Sequence, residues 1–562
     1  MHRRSRPPPA LSVATAPVAL AFALAAACRE EPASDAYVPA PASRVVESSP
    51  LAIRRDIFVI DGVVPPPNPQ GNAATPPEHN RVRVVRYRVD ADPPRPARAI
   101  VVMMPGFLAG AGSFDGLARA VVRRSTENDA LEAWAVDRRS NLLEDTHGVD
   151  VAEARHASKA AYDYYVDGAE VEGRTFAGFL TGPEAPWASE WGLATTVGDL
   201  RKVIELVPQA ERRARVVLLG HSLGASIAEA YAAWDFGTPG YAELAGLVLA
   251  DGVAGREGAP AASVDRTSYE QGAPATGGIP SAGVEKDIRG GATFTVLPFL
   301  GVQALAVGEA VAIDAHFDPA TIAPSIPGRD ALLSIALGLT VLPKLTNRAA
   351  FGLPFDEGSA PLSFAAARCG VATGGALAPY QGPFGGTLTH PSDPGATYDW
   401  TDGPLVGEPS RLDDLARAWF DGPGINFTEW YFPQRLPVDA AAAGTLVVAD
   451  DDWRSSVYGL RAKHGAAIDA PILAGAFRLV GDPAKFDALK RLVAPIGEGR
   501  PLAGRARSDA DAFMAKAHPD LAHVDGLVGA DAPGAAARVF YDDVVSFAKK
   551  NSLPGGVIVP AR

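Results

Sequence analysis

Apolar and polar residues follow one another along this chain in a pattern that predicts strands separated by helices. Residues 99–104 are continuously apolar, which is typical of a strand buried on both faces. The predicted strands are 57–60, 81–89, 99–104, 132–136, 214–219, 247–250 and 471–477, with one more before residue 523, and the predicted helices are 114–123, 193–206, 225–234, 484–493 and 535–549. This order favours an α/β fold with a mostly parallel sheet flanked by helices.

A long insertion interrupts the alternation. Residues 255–469 are rich in Gly, Pro and aromatic residues, and only 330–342, 410–419 and 455–464 have a helical pattern. Parallel sheets bind ligands beyond the carboxyl ends of their strands, so an insertion between two strands is expected to cover that edge. The pattern therefore predicts a core formed by residues 51–254 and 470–562, with residues 255–469 as a large cap insertion.

Residues 1–28 have the features of an export signal. A basic start is followed by an apolar stretch and by three alanines that precede Cys28. The segment resembles a bacterial lipoprotein signal, in which the cysteine is acylated and becomes the new N-terminus. The alternative is a plain secretory signal that is cleaved near Ala27. Residues 29–50, rich in Pro, Ala and Ser, are predicted to be a tether that separates the folded part from a membrane.

Either signal predicts an exported protein. With Cys28 acylated, we expect the protein in the bacterial cell envelope, held by its lipid in the periplasm or at the outer membrane; otherwise we expect it to be secreted. No later apolar run has the 18 residues of a membrane span. The second cysteine, Cys369, is expected to be a small buried apolar residue, because an acylated Cys28 could not form a disulfide with it.

The charge and the motifs exclude several classes of partner. The net charge is −13, so a polyanion would be repelled by most of the surface, and we expect no nucleic-acid partner. The sequence has no H-E-x-x-H, no paired C-x-x-C and no glycine-rich phosphate loop with its lysine. Residues 450–452 are all Asp but lack the glycine and glutamate of a calcium loop. Neither a metal nor another cofactor is predicted.

A G-x-S-x-G motif supplies the candidate nucleophile. Residues 220–224 read Gly-His-Ser-Leu-Gly and lie between the predicted strand 214–219 and the predicted helix 225–234. A sharp turn from strand to helix lifts a serine hydroxyl away from the backbone, and the glycines allow the two elements to approach each other. The context predicts that Ser222 is a nucleophile.

A serine needs a neighbouring base to remove its proton, and histidine is suited to this near neutral pH. Most of the ten histidines precede Ser222 or lie in the insertion. His523 precedes the last predicted helix, and with Asp525 it forms a His-x-Asp stretch. Here the chain resembles the α/β-hydrolases, whose catalytic residues follow the order nucleophile, acid, late histidine. The resemblance covers about residues 55–255 and 470–550 and implies that His523 is the base, with His518 as its main competitor.

Two aspartates are candidates for the acid that orients this histidine. Asp482 follows the predicted strand 471–477 and resembles the usual position in the family, so we favour it. Asp251 ends the strand after the nucleophile helix, where some lipases of the family have their acid, and is the alternative.

The oxyanion of an ester hydrolase needs two backbone donors. The N–H of Leu223, directly after the nucleophile, is the first candidate. The second is expected from the loop 105–110, most simply from Phe107; this loop resembles the His-Gly loop of the family, with Pro105 in place of the histidine. Asp137 and Arg138 are predicted to form a structural ion pair.

These residues predict a serine hydrolase that cleaves carboxylic esters through an acyl-enzyme on Ser222. The expected partner is a small-molecule ester or a lipid, which the many aromatic and apolar residues of the insertion would suit; the alternative is that these residues form the core of the insertion itself. Amide hydrolysis or acyl transfer would use the same residues, since the fold does not fix the leaving group or the acceptor. A lipid-anchored binding protein without catalysis, on a hydrolase scaffold, is the alternative from another class.

Overall fold

The structure is a computed structural model. It describes residues 42–252, 264–276, 279–295, 301–326, 330, 333–334, 339, 341–362, 365–382, 386–422 and 424–560. The predicted signal peptide, Cys28 and most of the predicted helix 330–342 lie outside the described residues.

In the described part the chain forms sixteen strands and fifteen α-helices. The strands are β1 (Ala42–Glu47), β2 (Ile53–Asp61), β3 (Arg81–Val89), β4 (Ala97–Met104), β5 (Ala130–Asp137), β6 (Val216–His221), β7 (Gly246–Ala250), β8 (Ala273–Thr276), β9 (Ile279–Ser281), β10 (Lys344–Leu345), β11 (Gly370–Thr373), β12 (Leu377–Gln381), β13 (Thr387–Pro391), β14 (Thr397–Asp402), β15 (Ile472–Ala476) and β16 (Phe513–Ala517). The helices are α1 (Asp115–Arg123), α2 (His147–Arg155), α3 (Lys159–Tyr165), α4 (Leu193–Ile204), α5 (Gln209–Arg215), α6 (Leu223–Ala233), α7 (Arg266–Gln271), α8 (Val302–Phe317), α9 (Asn347–Phe355), α10 (Leu412–Phe420), α11 (Arg435–Ala443), α12 (Trp453–Ser456), α13 (Asp487–Leu492), α14 (Asp525–Val528) and α15 (Ala536–Asn551).

One nine-stranded sheet organises the core. Its strand order is β1-β2-β3-β5-β4-β6-β7-β15-β16. The six strands from β5 to β16 in this order pair in parallel, and β1, β2 and β3 add an antiparallel edge. The α/β fold class with a mostly parallel sheet flanked by helices is confirmed.

The central strand β4 shows why residues 99–104 are all apolar. Val101 and Met103 belong to one hydrophobic cluster, and Ile100, Val102 and Met104 belong to the other. Successive side chains of a strand point to opposite faces, so a strand covered on both sides has no position for a polar residue. The carboxyl ends of β4, β6, β7 and β15 therefore meet at one edge of a well-buried sheet.

Two local predictions are wrong. Residues 42–47 of the predicted tether form β1, which pairs antiparallel with β2; the Ser43 hydroxyl donates to Asp56 at 2.5 Å. The Pro, Ala and Ser around this segment predicted a tether, although the β-branched pair Val45-Val46 favours a strand. Of the predicted helix 455–464, only residues 455 and 456 are helical, at the end of α12. Gly459 adopts φ +70°, a left-handed conformation that a right-handed helix does not contain.

The insertion lies between β7 and β15. In the described residues it contains helices α7 to α12 and three small sheets, β8-β9, β10-β14-β11 and β12-β13. Many of its apolar side chains belong to the same hydrophobic clusters as the core strands. Within the described ranges no helix combines the length and the apolar character that crossing a membrane needs.

Candidate active site

Ser222 occupies a sharp turn between β6 and α6. Its backbone has φ 56° and ψ −123°, a conformation that costs a non-glycine residue free energy and that persists only where the surroundings impose it. A Cβ on Gly220 would lie 2.0 Å from the carbonyl oxygen of Gly224, and one on Gly224 would lie 2.1 Å from that of Met104. The two glycines are needed because the strand, the helix and the end of β4 touch through their backbones.

His523 is paired with Asp251. The His523 Nδ1 lies 2.6 Å from Asp251 Oδ2, and both side chains are buried. The other carboxylate oxygen of Asp251 accepts hydrogen bonds from the backbone N–H groups of Phe477 and Val480, each at 2.9 Å. Burial opposes ionisation of Asp251, but the hydrogen bonds from His523 and Val480 outweigh it and hold its pKa below the usual range.

Asp482, which the sequence favoured as the acid, does not contact His523. It is exposed, and its carboxylate caps the short 3-10 helix Pro483–Phe486 by accepting from the N–H of Ala484 at 2.8 Å. Gly481 adopts φ +74° and turns the chain outward. The loop after β15 thus supplies donors that hold Asp251 in place, and Asp251 itself directly follows the adjacent strand β7. The alternative assignment is the one that the geometry supports.

A second histidine, His221, packs against His523. The His221 Nε2 lies 2.8 Å from the carbonyl oxygen of His523, and the two ring centroids are 4.4 Å apart. Burial, reinforced by the neighbouring His523, lowers the pKa of His221 to about 3, so its ring is neutral and Nε2–H is the donor. His518 is not part of this arrangement, because its ring packs against Phe477 and Phe540.

The predicted oxyanion residues border the nucleophile. Leu223 is the first residue of α6, where N–H groups have no partner within the helix. Gly106 and Phe107 follow β4 and line the same cavity as Ser222 and His523. A Cβ on Gly106 would lie 2.8 Å from the Ser222 Cβ, so the loop backbone passes directly beside the nucleophile.

Asp137 and Arg138 do not pair with each other, contrary to the prediction. Asp137 binds Arg83 at 2.6 Å, and Arg138 binds Glu429 of the insertion. Adjacent residues of an extended chain point to opposite sides, so a contact between these two side chains is disfavoured. Glu429 was not predicted as a functional residue, although the sequence contains one signal: it is the only charged residue in the stretch 427–432, Phe-Thr-Glu-Trp-Tyr-Phe.

Ser222 and His523 line a small apolar cavity of about 130 Å³. The core contributes the loop 106–109 and residues 524 and 527, and the insertion supplies most of the remaining wall. The insertion residues in the wall include Ala304, Leu305, Phe355, Leu362, Trp419 and Phe427. The side chains of the wall that have polar atoms are those of Ser222, His221, His523, Thr428 and Trp419.

The sheet and the sharp turn at Ser222 together identify the fold. Six parallel strands carry the serine turn at the end of β6, and Asp251 and His523, which pair with each other, follow later in the chain at the same edge. The chain has an α/β-hydrolase fold. No family model matches it, and no curated protein matches it by sequence.

Several solved structures are similar to this chain at low identity. A candidate lipase from Sulfolobus solfataricus is 11% identical with a TM-score of 0.41, covering 90% of this chain and 99% of that chain. A peroxisomal α/β-hydrolase from Saccharomyces cerevisiae is 10% identical with a TM-score of 0.36, over 89% and 91%. An epoxide hydrolase from Vigna radiata is 13% identical with a TM-score of 0.32, over 84% and 94%. These similarities are too distant to indicate an activity.

A metal site finds no support in the part of the chain that the structure describes, where no three His, Cys, Asp or Glu side chains are grouped to hold an ion. Cys369 is buried and has no disulfide partner there.

Proposed function

We propose that this protein is a serine hydrolase that cleaves carboxylic esters through an acyl-enzyme on Ser222. The proposal rests on one observation. Ser222, on the strained turn between β6 and α6, lines the same small apolar cavity as His523, and the Nδ1 of His523 is hydrogen-bonded to the buried carboxylate of Asp251. A neutral imidazole has one donor and one acceptor nitrogen. Because Asp251 accepts from Nδ1–H, the other ring nitrogen of His523, Nε2, is the one left to take a proton.

The reaction would proceed in two halves. Ser222 Oγ attacks the ester carbonyl carbon as its proton moves to His523 Nε2, and the carbonyl oxygen becomes an oxyanion bound by the N–H groups of Leu223 and Phe107. The C–O bond to the alcohol breaks, and His523 returns the proton to the leaving alkoxide. Water then attacks the acyl-enzyme with His523 again as the base, which releases the acid and restores Ser222. Asp251 stabilises the protonated imidazole in both halves.

The cavity favours a short apolar acyl group. Its volume of about 130 Å³ is comparable with the roughly 150 Å³ of a protein cavity that holds one benzene molecule. Its wall has no Asp, Glu, Lys or Arg side chain. We therefore expect acyl groups of about six carbons to fit, and longer chains to be accepted only if the insertion moves.

The test is a panel of p-nitrophenyl esters with acyl chains from two to sixteen carbons, assayed with the wild type, Ser222→Ala and Ser226→Ala. Ser226 lies one turn further along α6 and is the matched control. We expect kcat/KM to be highest near six carbons, to be at least about 10³-fold lower in Ser222→Ala, and to be unchanged in Ser226→Ala. Equal hydrolysis by the wild type and Ser222→Ala would rule out the proposed nucleophile.

Amide hydrolysis and acyl transfer remain the alternatives within the same machinery. An amide series and an added alcohol acceptor in the same assay separate them from ester hydrolysis by their products. A binding protein without catalysis would show no turnover and no adduct of a serine-directed phosphonate at Ser222.

A further inference from the structure

A buried arginine holds the loop that passes beside Ser222. Arg138 follows β5, and only 3% of its side chain is exposed. Its guanidinium donates to the carbonyl oxygens of Pro105 and Gly106 at 2.8 Å and of Ala109 at 2.9 Å. A single side chain thus binds three carbonyl groups of the loop that follows β4.

The insertion supplies the charge that keeps this arginine in place. Glu429 is fully buried and accepts from Arg138 Nε at 2.8 Å, with a second, shorter contact to Nη2. Its other carboxylate oxygen accepts from the Ser140 hydroxyl. The backbone N–H of Glu429 donates to the carbonyl of Leu108 at 3.0 Å. A buried arginine without a counter-charge would be costly, so Glu429 fixes both the arginine and the loop.

This arrangement sets the orientation of one peptide group. The C=O and N–H of a trans peptide point in opposite directions, and the Gly106 C=O and the Phe107 N–H belong to the same peptide. Because the Gly106 oxygen points at Arg138, the Phe107 N–H is directed to the opposite side of the loop. Gly106 itself lies against Ser222, where an added Cβ would come within 2.8 Å of the serine Cβ.

An aromatic contact strengthens the same arrangement. The ring of Phe432, also from the insertion, lies 5.1 Å from the Arg138 guanidinium and 4.7 Å from the ring of Phe107. The arginine, the side chain of the loop residue and the insertion therefore pack as one unit.

We propose that Arg138, held by Glu429, is a positioning residue that directs the Phe107 N–H toward the oxyanion of the reaction. The insertion is then part of the catalytic machinery in addition to being a wall of the cavity. This inference rests on the proposed function, since it assigns a role in stabilising an oxyanion formed by Ser222.

The first test compares Arg138→Lys and Glu429→Gln in the full chain. Lysine keeps the charge, but its ammonium group cannot reach three carbonyls in the geometry of the guanidinium, and glutamine keeps the size of Glu429 without its charge. Removal of a whole oxyanion donor costs about 10²–10³ in kcat. We expect a misdirected donor to lower kcat by about 10- to 100-fold and to change KM by less than about threefold.

A second measurement separates positioning from general damage. A trifluoromethyl ketone analogue of the preferred ester adds to Ser222 and forms an oxyanion, whereas the corresponding secondary alcohol binds without forming one. We expect the affinity for the ketone to fall by the same factor as kcat in both variants, and the affinity for the alcohol to stay within about twofold. Equal losses for the ketone and the alcohol would overturn the proposal.

Arg86→Lys is the matched control. Arg86 is equally buried, at 3% exposed, and pairs with Glu132 in the sheet, without a contact to the loop among the described residues. We expect its kcat to stay within about twofold of the wild type. If the kcat of Arg138→Lys is no lower than that of Arg86→Lys, the positioning role is wrong, and Glu429→Gln decides the question should Arg138→Lys fail to fold. A wild type that hydrolyses no ester and forms no ketone adduct would instead refute the proposed function.

Discussion

Asp251 has the properties that an orienting carboxylate needs, and its neighbours explain why. It follows β7, which lies next to β6, so its side chain begins one strand away from Ser222. One oxygen faces His523 and the other accepts two backbone N–H groups, which leaves the carboxylate a single orientation. Asp482 has one local partner and an exposed side chain, so its position is that of a helix cap.

Asp251→Asn and Asp482→Asn test this difference directly. An asparagine at position 251 can donate to Nδ1 of His523 and would then favour the wrong tautomer for proton transfer from Ser222. We expect kcat to fall by about 10³- to 10⁴-fold in Asp251→Asn and by less than about twofold in Asp482→Asn, measured with the preferred ester. Thermal melts of both variants show whether each is folded. The opposite pattern of kcat would restore Asp482 as the acid.

At the scale of elements, the site lies where the backbones of the loop after β4, the turn at Ser222 and the end of β7 come into contact. The loop after β4 passes beside the elbow, and α6 starts against the end of β4. The residue after Asp251 is also a glycine, and a Cβ there would lie 2.0 Å from the carbonyl oxygen of Ser222. Glycines are found where the turn, the loop and the adjacent strand end leave no room for a side chain.

Gly106→Ala is predicted to damage catalysis more than folding. Its Cβ would lie 2.8 Å from the Ser222 Cβ and 3.2 Å from the carbonyl oxygen of His221, so either the loop or the serine must move. We expect kcat to fall by at least about 10-fold, because small displacements of an oxyanion donor are costly. Gly301→Ala is the control, since a Cβ at that position meets nothing within 4 Å. Unchanged kcat in Gly106→Ala would show that the loop is not close to the reacting atoms.

At the scale of the whole molecule, the insertion and the core are joined through buried carboxyl groups. Glu309 on α8 lies beneath the cavity wall and accepts from Asn426, Thr428 and Trp430 at 2.9–3.0 Å. Burial raises the pKa of Glu309 to about 8, although these hydrogen bonds act in the other direction. Glu144 of the core shares the Asn426 amide, and burial together with the nearby Glu309 raises its pKa as well.

The stability of the protein is therefore expected to fall as the pH rises. The carboxyl of Glu309 titrates near 4.5 in the unfolded chain and near 8 in the fold, so between these values the folded state binds more protons. Each pH unit in this window removes up to about 1.4 kcal/mol of stability for this one group. We expect the Tm of Glu309→Gln to depend less steeply on pH between 5 and 8 than the Tm of the wild type. Replacement of the exposed Glu127 by Gln should leave the slope unchanged, and identical slopes in all three proteins would contradict this account.

The sequence by itself determined the features that depend on neighbouring residues. The periodicity of apolar positions predicted the strands and helices of the core, because each strand or helix repeats its buried positions at short spacing. The elbow at Ser222 could be predicted because its glycines and its flanking strand and helix are contiguous in the chain. His523 was predicted from the resemblance to the α/β-hydrolases, whose histidine comes late in the chain.

The tertiary structure alone decided which distant residues meet. Asp251 and His523 are 272 positions apart, and Arg138 and Glu429 are 291 positions apart. No periodicity relates such pairs, because the direction in which each loop leaves the sheet determines whether a carboxylate reaches the histidine or caps a nearby helix. Most of the cavity wall and the Glu429 that holds Arg138 come from the insertion, whose segments are brought to the strand ends only when the chain packs.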